Sequence, residues 1–197
     1  MMKRFLAILV LGLFLITPSQ ADDIRDFQIE GMSIGDSALD YFSEKMINKE
    51  KSFLYKSKKF YSVSFDKRYR SLKTYDDVQF LMKNNDKKYI IYSITGRLFY
   101  YNNIDDCYKK KDEIVKELSS IFKNSQKKDW GKEKFYENSS DNSTVSTVYF
   151  YFKLGGAVKV ACYDWSKKEE EKGVSDGLGV IINSKEFEEF LKNEANK

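Results

Sequence analysis

The sequence predicts an α+β fold in which antiparallel sheet carries helices on one face. Runs of alternating β-branched and aromatic residues follow one another across short turns, which is typical of hairpin-connected strands. Amphipathic segments with the period of a helix stand before, between and after these runs. Hydrophobic residues make up 42% of the chain and charged residues 32%, which indicates a folded rather than a disordered protein.

The first 21 residues have the pattern of a secretory signal peptide. Lys3 and Arg4 precede an apolar run over 5–16, and Ser19 and Ala21 are small residues at the positions that a signal peptidase reads. The run is too short for a membrane-spanning helix, which needs about 20 apolar residues. An uncleaved anchor is the alternative. We therefore expect export to the periplasm, or secretion if the source lacks an outer membrane, with no stable membrane span after the signal is removed.

Residues 22–197 are expected to form a single α+β domain, which begins with a helix. Asp36-Ser37 is a candidate N-cap for this helix, which is predicted over 38–49. Segments with strand character follow it, separated by turn residues. These strands are predicted at 59–65, 78–82, 89–94 and 98–101.

The second part of this domain also begins with a helix, which Asn103 or Asp105 caps and whose apolar stripe includes Cys107 and Leu118. The polar segment 127–142 is predicted to be a loop or a weak strand. Further elements are strands at 144–152, 157–165 and 178–182, a Gly155-Gly156 turn, a charged loop at 167–172 and a helix capped by Ser184. The repeated order of one helix and three or four strands also allows a doubled module, with half-modules 22–101 and 102–197.

The chain contains two cysteines, Cys107 and Cys162. In an oxidising compartment an isolated pair is expected to form a disulfide, which here would join the second helix to a strand of the sheet beneath it. Two buried free thiols are the alternative. The wide spacing of the pair excludes a C-x-x-C redox motif.

Histidine is absent from the chain, and its absence decides how two serine motifs are interpreted. The segment 31–35 fits the G-x-S-x-G motif of α/β-hydrolases, and 35–38 resembles the G-D-S-L start of another hydrolase group. Both chemistries activate serine with a histidine base. We therefore interpret the segment as a glycine-flexed start of a helix capped by Asp36. No residue is predicted to be catalytic, no metal site or cofactor is predicted, and the protein is expected not to be an enzyme.

The adjacent acids Asp76-Asp77 and Asp105-Asp106 suggest one alternative function. Paired carboxylates serve glycan hydrolysis, so a carboxylate-based enzyme acting on envelope polymers is the second hypothesis. Neighbouring residues on a strand point to opposite faces, however, and both pairs stand where strands or helices begin. Capping is therefore the favoured interpretation of these acids.

The most distinctive string of the sequence is Cys162-Tyr163-Asp164-Trp165, at the end of a predicted strand. A binding interpretation places Tyr163 and Trp165 on a ligand-facing edge, with Asp164 supplying polarity. The alternative is a disulfide anchor whose aromatic residues close the core. The formal net charge of +4 is weak and does not indicate a nucleic-acid binder. The expected partner is an envelope protein or another macromolecule, and the oligomeric state is open.

The pattern I-x-G-M-S-x-G-x-S over 29–37, the cysteine pair and the C-Y-D-W string together resemble an uncharacterised group of small exported proteins from Gram-negative bacteria. The resemblance covers most of the chain after the signal and implies no known activity. More loosely, the early Gly-Met-Ser resembles one module of the outer-membrane assembly lipoproteins, and the doubled order resembles β-lactamase-inhibitor-protein folds. These likenesses imply binding to other proteins, without a lipid anchor because no cysteine stands at the cleavage point.

Overall fold

A computed structural model describes residues 24–101, 103–135 and 142–197 of the chain. The predicted signal peptide, 1–21, lies outside the described residues. The helices are α1 (Glu44–Lys49), α2 (Ile104–Ile121), α3 (Lys167–Glu170) and α4 (Lys185–Asn193), with 3₁₀ turns at Ile24–Asp26 and Ala38–Asp40. The strands are β1 (Gln28–Ile29), β2 (Met32–Ser33), β3 (Phe60–Asp66), β4 (Asp77–Lys83), β5 (Ile91–Phe99), β6 (Gln126–Lys134), β7 (Thr144–Tyr151), β8 (Ala157–Asp164) and β9 (Gly177–Asn183).

Seven of these strands form one antiparallel sheet in the order β3-β4-β5-β9-β8-β7-β6, and β1 and β2 form a separate hairpin. The predicted α+β class with antiparallel sheet is confirmed. Strands from both proposed half-modules meet in the one sheet, where β5 pairs with β9. The last strand in the chain therefore lies in the interior of the sheet rather than at its edge.

One face of the sheet, called here the packed face, is covered by α2 and by the N-terminal segment. Ile114, Leu118 and Phe122 lie in the same buried cluster as the sheet residues beneath them. The ring of Phe122 packs edge-on against Phe27 and Phe150, with centroids 4.5 and 5.3 Å apart. These contacts explain the apolar stripe of α2, because every third or fourth residue of the helix reaches the sheet.

The predicted disulfide is present and links α2 to the packed face. Cys107 and Cys162 are bonded, with their Cα atoms 6.0 Å apart. Cys162 lies on β8, and α2 contacts β8 more than any other strand. The sequence expectation that the bridge joins the second helix to a strand beneath it is confirmed.

Helix α4 packs against the opposite face of the sheet, and only at one end. Phe187 and Phe190 of α4 contact Phe60, with ring centroids 5.2 and 4.8 Å apart, in a cluster that also contains Leu81. The helices therefore lie on both faces, which corrects the expectation of one face. Phe60 and Leu81 point away from the packed face and supply the apolar surface on which α4 packs.

Three segments differ from their predicted local structure. The helix predicted over 38–49 is divided, because Ser43 adopts extended backbone and caps α1 by accepting a hydrogen bond from the Met46 amide. The segment predicted as a loop or weak strand contains β6, whose residues are all exposed at the edge of the sheet. The predicted charged loop contains the single turn of helix α3.

The first serine motif, 31–35, lies in the β-hairpin, whereas the second, 35–38, stands at the start of the 3₁₀ turn Ala38–Asp40. Glu30 and Gly31 have φ of 54° and 78° and make the turn between β1 and β2, which places Ser33 in a buried strand. Of the candidate cap Asp36-Ser37, Ser37 caps the 3₁₀ turn by accepting a hydrogen bond from the Leu39 amide, whereas Asp36 caps no helix, which corrects that part of the interpretation. Its carboxylate accepts hydrogen bonds from the Ser33 amide at 2.8 Å and from the Tyr41 hydroxyl at 2.6 Å.

Glu30 links this hairpin to the loop before β4 by hydrogen bonds. Its carboxylate accepts hydrogen bonds from the amides of Lys73, Thr74 and Tyr75 at 2.8, 2.6 and 3.0 Å. Burial acts to raise the pKa of Glu30, but the three amides outweigh it and hold the pKa below its ordinary value of 4.5. The hairpin is thereby held to the sheet by a charged group as well as by its apolar residues.

Candidate binding face

The part of the sheet that α4 leaves uncovered is called here the open face. Because antiparallel strands pair residue by residue, its side chains stand in rows that cross the sheet. The first row consists of Thr95, Ile181, Lys159 and Tyr149. The second row consists of Arg97, Gly179, Ala161 and Thr147. The third row consists of Phe99, Gly177, Tyr163 and Val145.

The second row is the lowest of the three, because its three residues beyond Arg97 are small, and the line that it makes between the two larger rows is called here the trough. The first and third rows stand about 13 Å apart, at roughly 3.3 Å per strand residue, and carry larger side chains. A methyl group at Gly179 would lie 3.3 Å from Ile181 and 3.5 Å from Tyr163, so the glycine lets both walls close over the floor. Ala161 and Thr147 are buried beneath the same walls.

Two pairs of aromatic rings stand along the trough on β7 and β8. Tyr149 and Tyr151 are parallel within 1° with centroids 5.2 Å apart, and Tyr163 and Trp165 are parallel within 8° at 5.9 Å. All four side chains are half-buried. Phe135 packs edge-on against Trp165 at 4.8 Å. Parallel rings at these distances overlap, so each ring covers part of its neighbour's face and leaves edges and hydroxyl groups outward.

The structure brings together two of the three predicted binding residues. Tyr163 and Trp165 lie side by side on the open face, but Asp164 points to the packed face because neighbouring strand residues alternate. The Asp164 carboxylate accepts hydrogen bonds from Lys132 at 2.8 Å and from Tyr108 of α2 at 3.1 Å. Asp164 therefore joins β6, β8 and α2, and it does not supply polarity beside the two rings.

The charged residue between the two ring pairs is Lys159, and not Asp164. Its Nζ donates a hydrogen bond to the Tyr163 hydroxyl at 3.1 Å and lies 5.4 and 5.6 Å from the ring centroids of Tyr163 and Tyr149. Burial acts to lower the pKa of Lys159, but the phenol oxygens of Tyr163 and Tyr149 outweigh it and raise the pKa above its ordinary value. Lys159 is therefore a cation at neutral pH.

An ion pair closes one end of the trough. Arg97 donates to both carboxylate oxygens of Asp77 and to the Ser64 hydroxyl, so that Asp77 is fully engaged. Asp76 accepts from the Phe99 amide at 3.0 Å and from Lys67 at 3.1 Å. Both acids therefore have structural partners, but these are an ion pair and a strand amide rather than the cap that was expected.

The second acidic pair lies at the start of α2. The Asn103 side chain caps this helix by accepting a hydrogen bond from the Asp105 amide, and Asp106 pairs with Lys109. Across the described ranges, no three acids, cysteines or histidines stand close enough to hold a metal ion. In the same part of the chain, no helix is long and apolar enough to cross a membrane.

Sequence reasoning missed Lys159 as a partner of the aromatic rings. The signal was the period of two: Tyr149 and Tyr151 share one face of their strand, and Lys159 and Tyr163 share one face of the next. Alternation does not reveal which of these residues stand opposite one another. The register between β7 and β8 is needed to place Lys159 directly across from Tyr149.

No protein-family model matches this chain, and no curated protein or solved structure matches it.

Proposed function

We propose that this chain is an exported binding protein of the cell envelope, which holds a segment of another macromolecule on the open face, against the side chains that line the trough, and catalyses no reaction. One observation carries the proposal. The row of Gly179, Ala161 and Thr147 stands between two rows of large side chains, on the part of the sheet where α4 does not pack. The side chains above this floor, among them the half-buried rings of Tyr149, Tyr163 and Trp165, form the surface that a ligand can contact.

The composition of the trough walls supports binding. Tyrosine and tryptophan offer a large contact area, lose few rotamers on binding and are enriched at the centres of interfaces. The two ring pairs are already ordered by stacking on each other, which lowers the entropy cost of binding. The predicted signal sequence and the disulfide are both compatible with an oxidising compartment outside the cytoplasm.

The carboxylate-based enzyme has less support on this face. Two-carboxylate glycan hydrolysis needs both acids free and about 5–10 Å apart across the substrate. Asp77 is held by Arg97, and Glu188 of α4 accepts a hydrogen bond from Asn183 at 2.7 Å. Neither acid is presented to the trough as one of a facing pair.

Affinity capture with a blocked trough tests the proposal. Ala161→Leu places a larger side chain beneath the side chains that cover this buried position and so displaces them, and Lys116→Leu changes an exposed residue of α2 as the control. We expect the immobilised wild-type chain and Lys116→Leu to retain a partner from an envelope extract that Ala161→Leu retains at least tenfold less. Thermal melting checks that all three chains are folded. Retention of the same partners by all three variants would contradict binding in the trough.

A further inference from the structure

We propose that a lysine-rich loop between α1 and β3 attaches this protein to the surface of a bilayer that contains anionic phospholipid. The loop, called here the basic loop, consists of residues 51–59 with the sequence K-S-F-L-Y-K-S-K-K, which has four lysines and no acidic residue. It is a second surface, separate from the open face. The inference therefore goes beyond the proposed function and does not depend on it.

Two adjacent apolar side chains of the basic loop are turned to solvent. Phe53 is 40% exposed and Leu54 is 50% exposed. The next residue is packed instead, because the ring of Tyr55 lies edge-on against Phe190 of α4, with centroids 5.4 Å apart. Single exposed apolar residues are common on proteins, but an adjacent pair among lysines is typical of a surface that binds membranes.

The backbone of the basic loop is held in place on both sides of this apolar pair. Ser52 forms two backbone hydrogen bonds with Ser62 of β3, at 2.9 and 2.7 Å. The Ser57 amide donates to the Ala195 carbonyl at 3.3 Å. Phe53 and Leu54 are therefore presented to solvent by an ordered backbone, which lowers the entropy cost of binding.

Two lysines of the basic loop lie beside the exposed ring. The Nζ atoms of Lys51 and Lys58 lie 5.4 and 5.8 Å from the ring centroid of Phe53. Two cations near one ring repel each other, and an anion that approaches both of them removes this repulsion. The same position is thus suited to an apolar contact and to an anionic group.

The positive charge of the basic loop is only partly neutralised within the chain. Lys59 pairs with Glu194 at 2.9 Å, and Lys51 donates to the neutral Asn84 amide oxygen. Across the described ranges, no carboxylate lies within 4.0 Å of the ammonium groups of Lys51, Lys56 or Lys58. The loop therefore presents three of its four charges to a partner.

An anionic bilayer matches both features of the basic loop. Its head groups form a negative plane that attracts lysines, and the acyl region beneath them receives apolar side chains while long lysine stems keep the ammonium groups at the head groups. An acidic polymer would match the lysines and leave Phe53 and Leu54 in water. A protein partner would need an acidic rim around an apolar pocket, whereas a bilayer offers this combination over its whole surface.

The basic loop lies far across the sheet from the aromatic ring pairs. Ser52 pairs with β3 at one edge of the sheet, whereas Tyr149 lies on β7, five strands away. At about 4.8 Å per strand this separation is about 24 Å. Attachment through the loop therefore does not require the ring pairs to contact lipid, and the protein could hold a partner near the membrane.

Sedimentation with vesicles tests the proposal. The exported chain is mixed with vesicles of phosphatidylcholine, with or without phosphatidylglycerol. We expect at least about tenfold tighter binding to the anionic vesicles, and high salt should abolish it. The double variant Lys56→Gln, Lys58→Gln should weaken this binding about tenfold or more. The control Lys116→Gln, Lys123→Gln makes the same charge change at exposed positions on and after α2 and should stay within about twofold of the wild type.

A second set of variants tests the apolar part of the basic loop. The double variant Phe53→Ser, Leu54→Ser should weaken binding to anionic vesicles about tenfold or more, because the apolar contact is lost. Leu154→Ser changes a residue that is 69% exposed in the turn between β7 and β8, and it should leave binding unchanged. Thermal melting checks that every variant is folded, and the lysine variants keep the test open if the double serine variant is not.

Three results would overturn the proposal. The first is equal binding by the loop variants and their controls, and the second is equal binding of the wild type to neutral and anionic vesicles. The third is retention of an acidic protein through the loop without any vesicle binding, which would assign the loop to a protein partner. Ala161→Leu should bind vesicles like the wild type, so a failure of the open face can be told from a failure of the basic loop.

Discussion

The two faces of the sheet use the same strands in opposite ways. On the packed face one row of paired residues consists of Phe80, Ile94, Ile182, Val158 and Phe150, all of them buried in one apolar cluster. The row one residue away, on the open face, consists of Gln79, Thr95, Ile181, Lys159 and Tyr149. A shift of one position therefore separates residues that stabilise the fold from residues that are available to a ligand.

The largest expected difference in stability is between substitutions of two neighbouring residues on β7. Phe150→Ala removes a ring that is 1% exposed and should lower the free energy of unfolding by about 3–5 kcal/mol, whereas Tyr149→Ala should lower it by about 1 kcal/mol. Tyr149→Ala should instead reduce retention of the partner captured from an envelope extract. Urea denaturation measures both stabilities. Equal destabilisation by the two variants would mean that the open face belongs to the core.

The next largest effect is expected from removal of the disulfide, which lies on the packed face. The double variant Cys107→Ala, Cys162→Ala should lower the free energy of unfolding by about 2–4 kcal/mol, since the bridge closes a long loop in the unfolded chain. Binding to the trough should change less than twofold at temperatures where the variant is folded. Mass spectrometry after alkylation checks the pairing, and two modified thiols in the native chain would contradict it.

The smallest expected effect is on the pH dependence of stability. Lowering the pH should remove a stabilising contribution of Glu30 but relieve a destabilising contribution of Glu188. The pKa of Glu30 is held below 4.5, so its contribution is complete above that pH and is lost as the pH falls through the folded pKa. Burial raises the pKa of Glu188 on the open face, so its charged form costs stability at neutral pH and the cost disappears as the pH falls.

Denaturation between pH 3 and 7 measures this difference. Glu30→Gln should lose about 1 kcal/mol at pH 7 and show a shallower loss of stability in acid. Glu188→Gln should be as stable as the wild type or more stable at pH 7, and should converge with it in acid. An acid limb of Glu30→Gln identical to that of the wild type would show that the three amides do not hold the Glu30 pKa down.

Short-range sequence patterns predicted most of the helices and strands. The features that these patterns did not predict depend on pairing between residues far apart in the chain. The alternation of 144–152 and the Gly155-Gly156 turn place β7 and β8 nearly correctly, because turn chemistry and burial act within a few residues. The side of the sheet on which α4 packs depends on where Phe60 and Leu81 point, and those residues lie more than 100 positions earlier in the chain. Asp164 was misplaced because one strand position decides the face.

The trough was the least predictable feature. Its floor takes one residue from each of three strands, Gly179, Ala161 and Thr147, and none of them carries a chemical signal alone. The floor exists because the registers of β9, β8 and β7 align these three small residues. A single sequence contains the residues but does not specify the alignment.

The interior position of β9 determines when this chain can fold. During synthesis β5 is complete long before β9 and β8 shortly before it, and each then has one open edge that β9 covers in the finished sheet. Ser93 and Asn183, which pair across the β5–β9 junction, are 90 residues apart, and contacts of such separation slow folding. The sheet therefore cannot close until residue 183 has been made, and up to that point the edges of β5 and β8 are open to pairing with other chains.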